Sequence, residues 1–160
     1  GLNVSLAGAN LTGDATLHSD GATGKLTLQA PDVTPIAELA GLPMERGAFW
    51  LNANFNTRRN GAGAKVTLNA NELRFAEAIA DIGALTVDAD VDWNGRDATV
   101  TAALSGPFGQ PVQARVRAPV RPSGGLVPTA PQNGALSGSI DWSGEIGELW
   151  ALVPAPGHVL

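Results

Sequence analysis

Residues 85–93 read L-T-V-D-A-D-V-D-W, and apolar and polar side chains alternate along this stretch without a break. Every second residue from Leu85 to Trp93 is apolar, whereas a threonine and three aspartates occupy the positions between them. Successive side chains of a β-strand point to opposite faces of the sheet. The stretch is therefore predicted to be a strand with one apolar face and one solvated face.

The same alternation recurs along most of the chain. It is found in Leu2/Val4/Leu6, Leu26/Leu28/Ala30, Phe49/Leu51/Ala53/Phe55, Val66/Leu68/Ala70, Ala98/Val100/Ala102/Leu104, Val112/Ala114/Val116/Ala118 and again at residues 135–142. Turn dipeptides punctuate it at Asp20-Gly21, Asn60-Gly61 and Asn94-Gly95, and Asn-Gly is a preferred centre of a two-residue β-hairpin. The sequence thus predicts an all-β fold in which about nine strands form one elongated antiparallel meander.

Composition indicates the shape of this sheet. The 160 residues include four Trp, four Phe, no Tyr and 20 Gly, so few side chains are large enough to fill the space between two packed sheets. A single sheet curled into a trough, with an apolar interior that is left open, tolerates small side chains better. We therefore expect a β-taco-like trough with a few short helices.

Three segments depart from the period of two and are predicted to be short helices. Pro35–Leu42 is preceded by Thr34, a candidate N-cap, and contains Gly41 as a candidate C-cap. A second helix is predicted within residues 72–82, mainly over Phe75–Ile82, and a third over Ile146–Val153.

These segments group into three parts. Residues 1–118 are expected to form the curled β-sheet with short helical insertions, residues 119–134 a Pro/Gly-rich loop, and residues 135–160 a further strand and short helix that continue the sheet. The pattern is already under way at the first residues, so we expect an internal segment of a longer protein. No stretch approaches the roughly 20 apolar residues of a membrane-spanning helix, and membrane contact is expected through other parts of that protein.

Charge and composition exclude several function classes. The formal net charge is −5 and the only lysines are Lys25 and Lys65, so no nucleic-acid partner is expected. Cysteine is absent, which excludes disulfides and cysteine-ligated metals. No nucleophile, base and orienting group occur in a recognisable arrangement. The protein is therefore predicted not to be an enzyme and to need neither cofactor nor metal.

The acidic strand partly matches a calcium-binding motif. Residues 90–95 match the first half of a calcium loop, D-x-D-x-N-G, but Thr101 stands where such a loop requires glutamate. A solvated strand that runs into a turn is the favoured interpretation. Asp88, Asp90 and Asp92 share one face of the strand, where neighbouring like charges are unfavourable. Arg115 and Arg117 occupy alternate positions that would place them on the same polar face, where they would balance this charge.

Two longer passages carry a family resemblance. A-P-D-V-T-P-I-A-E-L-A-G-L-P-M-E-R-G-A-F-W-L-N-A-N-F, residues 30–55, and A-L-S-G-S-I-D-W-S-G-E-I-G-E-L-W-A-L-V-P-A-P-G-H-V-L, residues 135–160, resemble repeating units of the translocation and assembly module family TamB, within the AsmA-like group of bacterial envelope proteins. In that family a short helical segment precedes strands of G-x-L-x-L-x pattern, and the strands form a long sheet curled into a trough with an apolar lining.

The resemblance implies a location and a function. It implies a periplasmic segment of a parent protein that is anchored in the inner membrane of a Gram-negative bacterium. It further implies movement of phospholipid between the inner and outer membranes, or assistance to outer-membrane protein assembly. The implied partners are phospholipid acyl chains and an outer-membrane assembly barrel protein.

The larger apolar residues of the alternating pattern are expected to line the trough. They are Leu26, Leu28, Phe49, Leu51, Phe55, Val66, Leu68, Leu85, Val87, Val91, Val100, Leu104, Val112 and Val116. The small residues Ala53, Ala89, Ala102 and Ala114 would leave room for an acyl chain.

Two other functions stay open. One is a structural or adhesin-like β module without lipid cargo, whose apolar face packs on itself or on a second sheet. The other is a chaperone that pairs a client strand with an exposed sheet edge. Lipid that co-purifies with the protein would favour the trough over both.

Overall fold

The chain forms nine strands and one short helix. In a computed structural model, residues 1–41, 44–58, 61–75, 83–107, 109–121 and 134–143 are described. The elements are β1 (Leu2–Leu6), β2 (Ala9–His18), β3 (Gly21–Ala30), α1 (Thr34–Ala40), β4 (Met44–Arg58), β5 (Gly61–Phe75), β6 (Leu85–Trp93), β7 (Asp97–Ser105), β8 (Val112–Pro119) and β9 (Ser137–Asp141). None of the described residues belongs to a helix with the length and apolar character needed to cross a membrane.

All nine strands belong to one sheet, in chain order from β1 to β9, and every neighbouring pair is antiparallel. The sheet does not close, so β1 and β9 are its edges and it forms an open, curled trough. The predicted all-β meander is confirmed. Within the described residues, extensive contacts between elements join only adjacent strands, or α1 to β4.

The register brings the apolar residues of successive strands into rows that cross the sheet. The central row is Val4, Leu11, Leu28, Leu51, Leu68, Ala89, Ala102, Ala114 and Ile140. The valine row, two residues away along each strand, is Leu2, Gly13, Leu26, Ala53, Val66, Val91, Val100, Val116 and Gly138. On the other side of the central row, the helix-side row runs through Phe49, Ala70, Val87, Leu104 and Val112. These rows form the apolar face.

The opposite face is mostly polar. Its middle row is Asn3, Thr12, Thr27, Asn52, Thr67, Asp90, Thr101, Arg115 and Ser139. A slip of one residue in any strand would exchange its two faces, so the alternation fixes the parity of the register.

Buried side chains are few and small. The buried apolar residues are Ala9, Ala30, Val33, Ala37, Ala70 and Leu85. Val33 is the N-cap of α1 and Ala37 lies within it, whereas the other four lie on β2, β3, β5 and β6. In the described part of the chain no large side chain is fully buried. The sheet therefore depends on its backbone ladders and cross-strand pairs more than on an enclosed core.

The helix α1 begins one residue earlier than predicted. Its N-cap is Val33, and Thr34 is the first helical residue. The Thr34 hydroxyl donates to the carbonyl of Glu45 at 3.1 Å, which ties the helix to β4. The backbone N–H of Thr34 donates to Oδ1 of Asp32 at 2.9 Å, and this bond lowers the pKa of the Asp32 carboxyl. Gly41 ends the helix at φ +66°, as the sequence predicts.

The β6–β7 turn contains the predicted glycine in a different place. Gly95 has φ +87°, but the backbone N–H of Asn94 donates to the carbonyl of Asp97 at 3.1 Å, so Gly95 and Arg96 are the central residues. The prediction that Asn94 and Gly95 form the centre is wrong by one residue. Asn94 Oδ1 instead accepts from the N–H groups of Arg96 and Asp97 at 3.0 and 2.9 Å. A Cβ at position 95 would lie 2.6 Å from the carbonyl oxygen of Ala62.

The β2–β3 hairpin shows a similar offset. Gly21 pairs with His18, so Ser19 and Asp20 are the central residues. Gly61 pairs with Arg58, but Asn60 of the predicted Asn60-Gly61 turn lies outside the described residues. The β1–β2 turn was not predicted. Its central residues, Ala7 and Gly8, have φ +49° and +77°, as a type I′ turn requires.

The predicted second helix is wrong over its first residues. β5 continues to Phe75, and the pairing with β6 shifts between Ala70 and Leu73, which marks a β-bulge. The bulge interrupts the period of two. The helix was predicted from the spacing of Phe75, Ile79 and Ile82, and the last two of these lie outside the described residues. Residues 76–82, the predicted helix Ile146–Val153 and residues 122–133 of the predicted loop lie outside the described residues.

Candidate functional site

The predicted lining residues share the apolar face of the trough. In the valine row lie Leu26, Val66, Val91, Val100 and Val116, and in the central row Leu28, Leu51 and Leu68. The helix-side row holds Phe49, Val87, Leu104 and Val112, while Phe55 and Leu85 have the same parity in the outer positions. Leu85 is buried and the others are half-buried. These side chains shield one another partly and leave a continuous apolar surface accessible.

An alanine furrow crosses the second half of the trough. Ala89, Ala102 and Ala114 pair in succession across β6, β7 and β8. The valine row forms one wall of this furrow and the helix-side row forms the other. The two walls are four residues apart, which is about 13 Å along each strand. The methyl groups of the three alanines form the floor between them. Ala53 lies in the valine row on β4 and is therefore not part of the furrow.

The helix α1 adds a second apolar feature, at the opposite edge of the sheet. Ile36 and Leu39 face Val4, Leu11 and Leu28 across a cleft of about 430 Å³ that is lined almost wholly by apolar groups. At its mouth the side chain of Leu39 is 71% exposed. The sequence predicts the helix and, of these lining residues, Leu28, whereas Ile36, Leu39, Val4 and Leu11 were not predicted. The spacing of Ile36 and Leu39 on one helical face was the available signal.

Trp93 borders the trough at the end remote from α1. Its indole Nε1 donates to the backbone carbonyl of Val120 at 2.8 Å. Trp93 pairs with Ala98, which in turn pairs with Ala118, so the large ring lies in a row of small residues. It was part of the alternating pattern but was not among the predicted lining residues.

On the polar face each aspartate of β6 has a partner on β5. The partners are Asn69 for Asp88 at 2.6 Å, Thr67 for Asp90 at 2.8 Å and Lys65 for Asp92 at 3.4 Å. Arg115 and Arg117 lie on this face as predicted, but Arg117 pairs with Asp97 of β7 at 2.9 Å. These contacts are solvent-exposed and contribute little stability individually.

No metal centre is formed by the part of the chain that the structure describes. Groups of three or more His, Cys, Asp or Glu residues that could hold an ion do not occur there. Along the calcium-like stretch, Asp90 and Asp92 bond to β5, whereas Asn94 turns its oxygen to the backbone of the β6–β7 turn. The three oxygen-bearing side chains therefore serve separate contacts.

Comparison with family models, with curated proteins and with solved structures found no match for this chain. The comparisons therefore assign it to no family.

Proposed function

We propose that this chain is a segment of a periplasmic bridge-like protein whose apolar trough carries phospholipid acyl chains between the inner and outer membranes. The observation that supports this most directly is the pair of rows, central and valine, that cross all nine strands without one polar side chain. The resemblance to TamB and AsmA-like proteins points to the same function. It also suggests a parent protein anchored in the inner membrane and a barrel protein of the outer membrane as a further partner.

The energetics of such a site favour movement along the trough. Burial of a methylene group contributes about 0.8 kcal/mol, and a chain that contacts the lining with half of its surface would gain about half of that per group. This gain needs no specific contact. An acyl chain in the alanine furrow would run from strand to strand, along the long axis of the sheet, and meet similar surfaces as it advances.

The cleft under α1 gives the trough a second apolar site at its β1–β3 corner. Its volume of about 430 Å³ lies within the range of small-molecule sites, and the helix covers one side of it. An acyl chain there would be enclosed more fully than in the furrow. We therefore expect the cleft to hold lipid longer than the open part of the trough does.

A structural β module without lipid cargo is the alternative. It requires a protein layer over the apolar face. In the described residues, the one element outside the sheet is α1, and it covers a corner of that face. The trough proposal needs no further layer, since the lipid itself covers the lining.

The test combines lipid analysis with site-specific crosslinking. A photo-crosslinking amino acid placed at Val87, Val91 or Val116 should capture phospholipid in cells, and organic extracts of the purified protein should contain phospholipid by mass spectrometry. Probes at Asp88 and Arg115, on the polar face of β6 and β8, provide matched controls and should capture none. Equal yields from the two faces, or extracts free of lipid, would contradict the proposal.

A further inference from the structure

One large aromatic residue lies on the wrong face for a role in the trough. Trp50 pairs with Gln29 and Asn69 on the polar face, whereas its neighbours Phe49 and Leu51 point to the apolar face. The ring is half-buried and is flanked by amide side chains. A tryptophan in this position fills no core. The flat apolar surface of the indole lies instead beside the amide groups of Gln29 and Asn69, which can form hydrogen bonds.

The backbone next to Trp50 is bulged and strained. Between Ala70 and Leu73 the pairing of β5 shifts, and the consecutive residues Asn71 and Glu72 both line one cleft together with Trp50. In a regular strand two consecutive side chains would point to opposite faces. Glu72 has φ +53°, which is uncommon for any residue other than glycine. Bulges and such backbone conformations are concentrated where a side chain is redirected toward a ligand.

The cleft has the size and the polarity of a small-molecule site. Its volume is about 510 Å³, and its lining includes Asp32, Thr34, Glu45 and Arg46. The guanidinium of Arg46 pairs with the carboxylate of Glu72 at 2.8 Å, and Asp32 accepts the N–H of Thr34 at 2.9 Å. Charge is therefore partly compensated. The cleft presents hydrogen-bond donors as well as acceptors around one aromatic ring.

We propose that this cleft on the polar face binds a neutral pyranose sugar, as one unit of an oligosaccharide. The C–H groups on the face of a pyranose approach the electron-rich face of an indole, while its hydroxyl groups, each of which donates and accepts, match the mixed groups of the cleft. Three carboxylates, Asp32, Glu45 and Glu72, oppose an anionic sugar. A cation would leave the donors of Arg46 and Asn71 unused. This site is separate from the lipid trough and does not depend on it.

Calorimetric titration of the folded protein with cellohexaose, chitohexaose and maltohexaose tests the proposal, with tryptophan fluorescence as a second readout. At least one of the three should bind. Trp50→Ala should weaken that binding about tenfold or more, whereas Trp50→Phe, which keeps an aromatic face, should weaken it less than about threefold. Gln113→Ala, in the same polar row on β8, is the matched control and should bind like the parent.

Several results would overturn the proposal. One is the absence of heat and fluorescence change with all three sugars up to about 10 mM. Another is binding that Trp50→Ala leaves intact. A third is binding of spermine, a polyamine, with the same dependence on Trp50 while the sugars fail, since this would identify a cation site. Thermal unfolding of each variant distinguishes loss of binding from loss of fold, and Trp50→Gln, which also removes the aromatic face, replaces Trp50→Ala if that variant unfolds.

Discussion

An arginine placed in the valine row distinguishes an open trough from a packed core. Val100 lies at the middle of β7 and pairs with Val91 and Val116, all of them half-buried. We expect Val100→Arg to leave the fold intact and to abolish lipid binding. The long side chain can extend along the lining and keep its guanidinium in water, where it would obstruct an acyl chain.

The expected loss of stability in Val100→Arg follows from how far Val100 is buried. Full burial of a valine side chain contributes at least about 1.5 kcal/mol, so replacement of a half-buried one should cost about 1 to 2 kcal/mol, including the adjustment of its neighbours. For a domain of this size that corresponds to a melting temperature lower by roughly 2 to 8 °C. Under a second protein layer the same guanidinium would be buried without a partner. The cost would then be several kcal/mol, enough to unfold the domain.

The assay measures two quantities on the same preparation. Thermal unfolding, followed by circular dichroism, reports stability, and mass spectrometry of organic extracts reports bound phospholipid. Thr101→Arg is the control, because residue 101 faces Asp90 and Arg115 on the polar face. It should change neither quantity. Collapse of the fold in Val100→Arg, or normal lipid content in a folded Val100→Arg protein, would refute the reasoning.

The remaining predictions concern a turn, the furrow and the helix. Gly95→Val should lower the stability by about 2 kcal/mol in thermal or urea unfolding, because a β-branched residue is strained at positive φ; an unchanged melting temperature would count against the turn geometry. Ala102→Leu should fill the alanine furrow and reduce crosslinking to lipid, whereas Ala103→Leu, on the polar face of the same strand, should not; equal yields would exclude the furrow as the lipid path. Asp32→Ala should lower the melting temperature at neutral pH, since the N–H of Thr34 loses its acceptor. This bond lowers the pKa of Asp32 from its ordinary value of 3.8, so the bond contributes its full stability above pH 3.8 and loses it as the pH falls further. Parent and variant should therefore have the same melting temperature in strong acid. A difference in melting temperature that persists there would assign the effect to another contact.

Much of the fold follows from a local rule. Alternation of apolar and polar residues depends only on the geometry of a strand, and it located β6 from Leu85 to Trp93 at its observed bounds. Gly41 was predicted as a C-cap and Gly95 as a turn residue, and both have the positive φ that few other residues adopt readily. The predicted helix start was wrong because a tertiary contact, and not the local sequence, determines where the helix begins. Thr34 was predicted as an N-cap, but its hydroxyl is engaged by the carbonyl of Glu45.

For the candidate site, the face on which each side chain lies could be predicted, but its neighbours on adjacent strands could not. The alternating pattern predicts which side chains share a face, since successive side chains of a strand point in only two directions. It did not determine which residues become neighbours across strands, because the register depends on turn lengths and on bulges such as the one between Ala70 and Leu73.

Only the tertiary structure aligned Ala89 with Ala102 and Ala114 into a furrow, placed α1 over one corner of the sheet, and brought Asn71 and Glu72 beside Trp50. The physical reason is that an alternating pattern indicates only which residues avoid water. The shape of a site depends in addition on contacts between residues that are far apart in the chain.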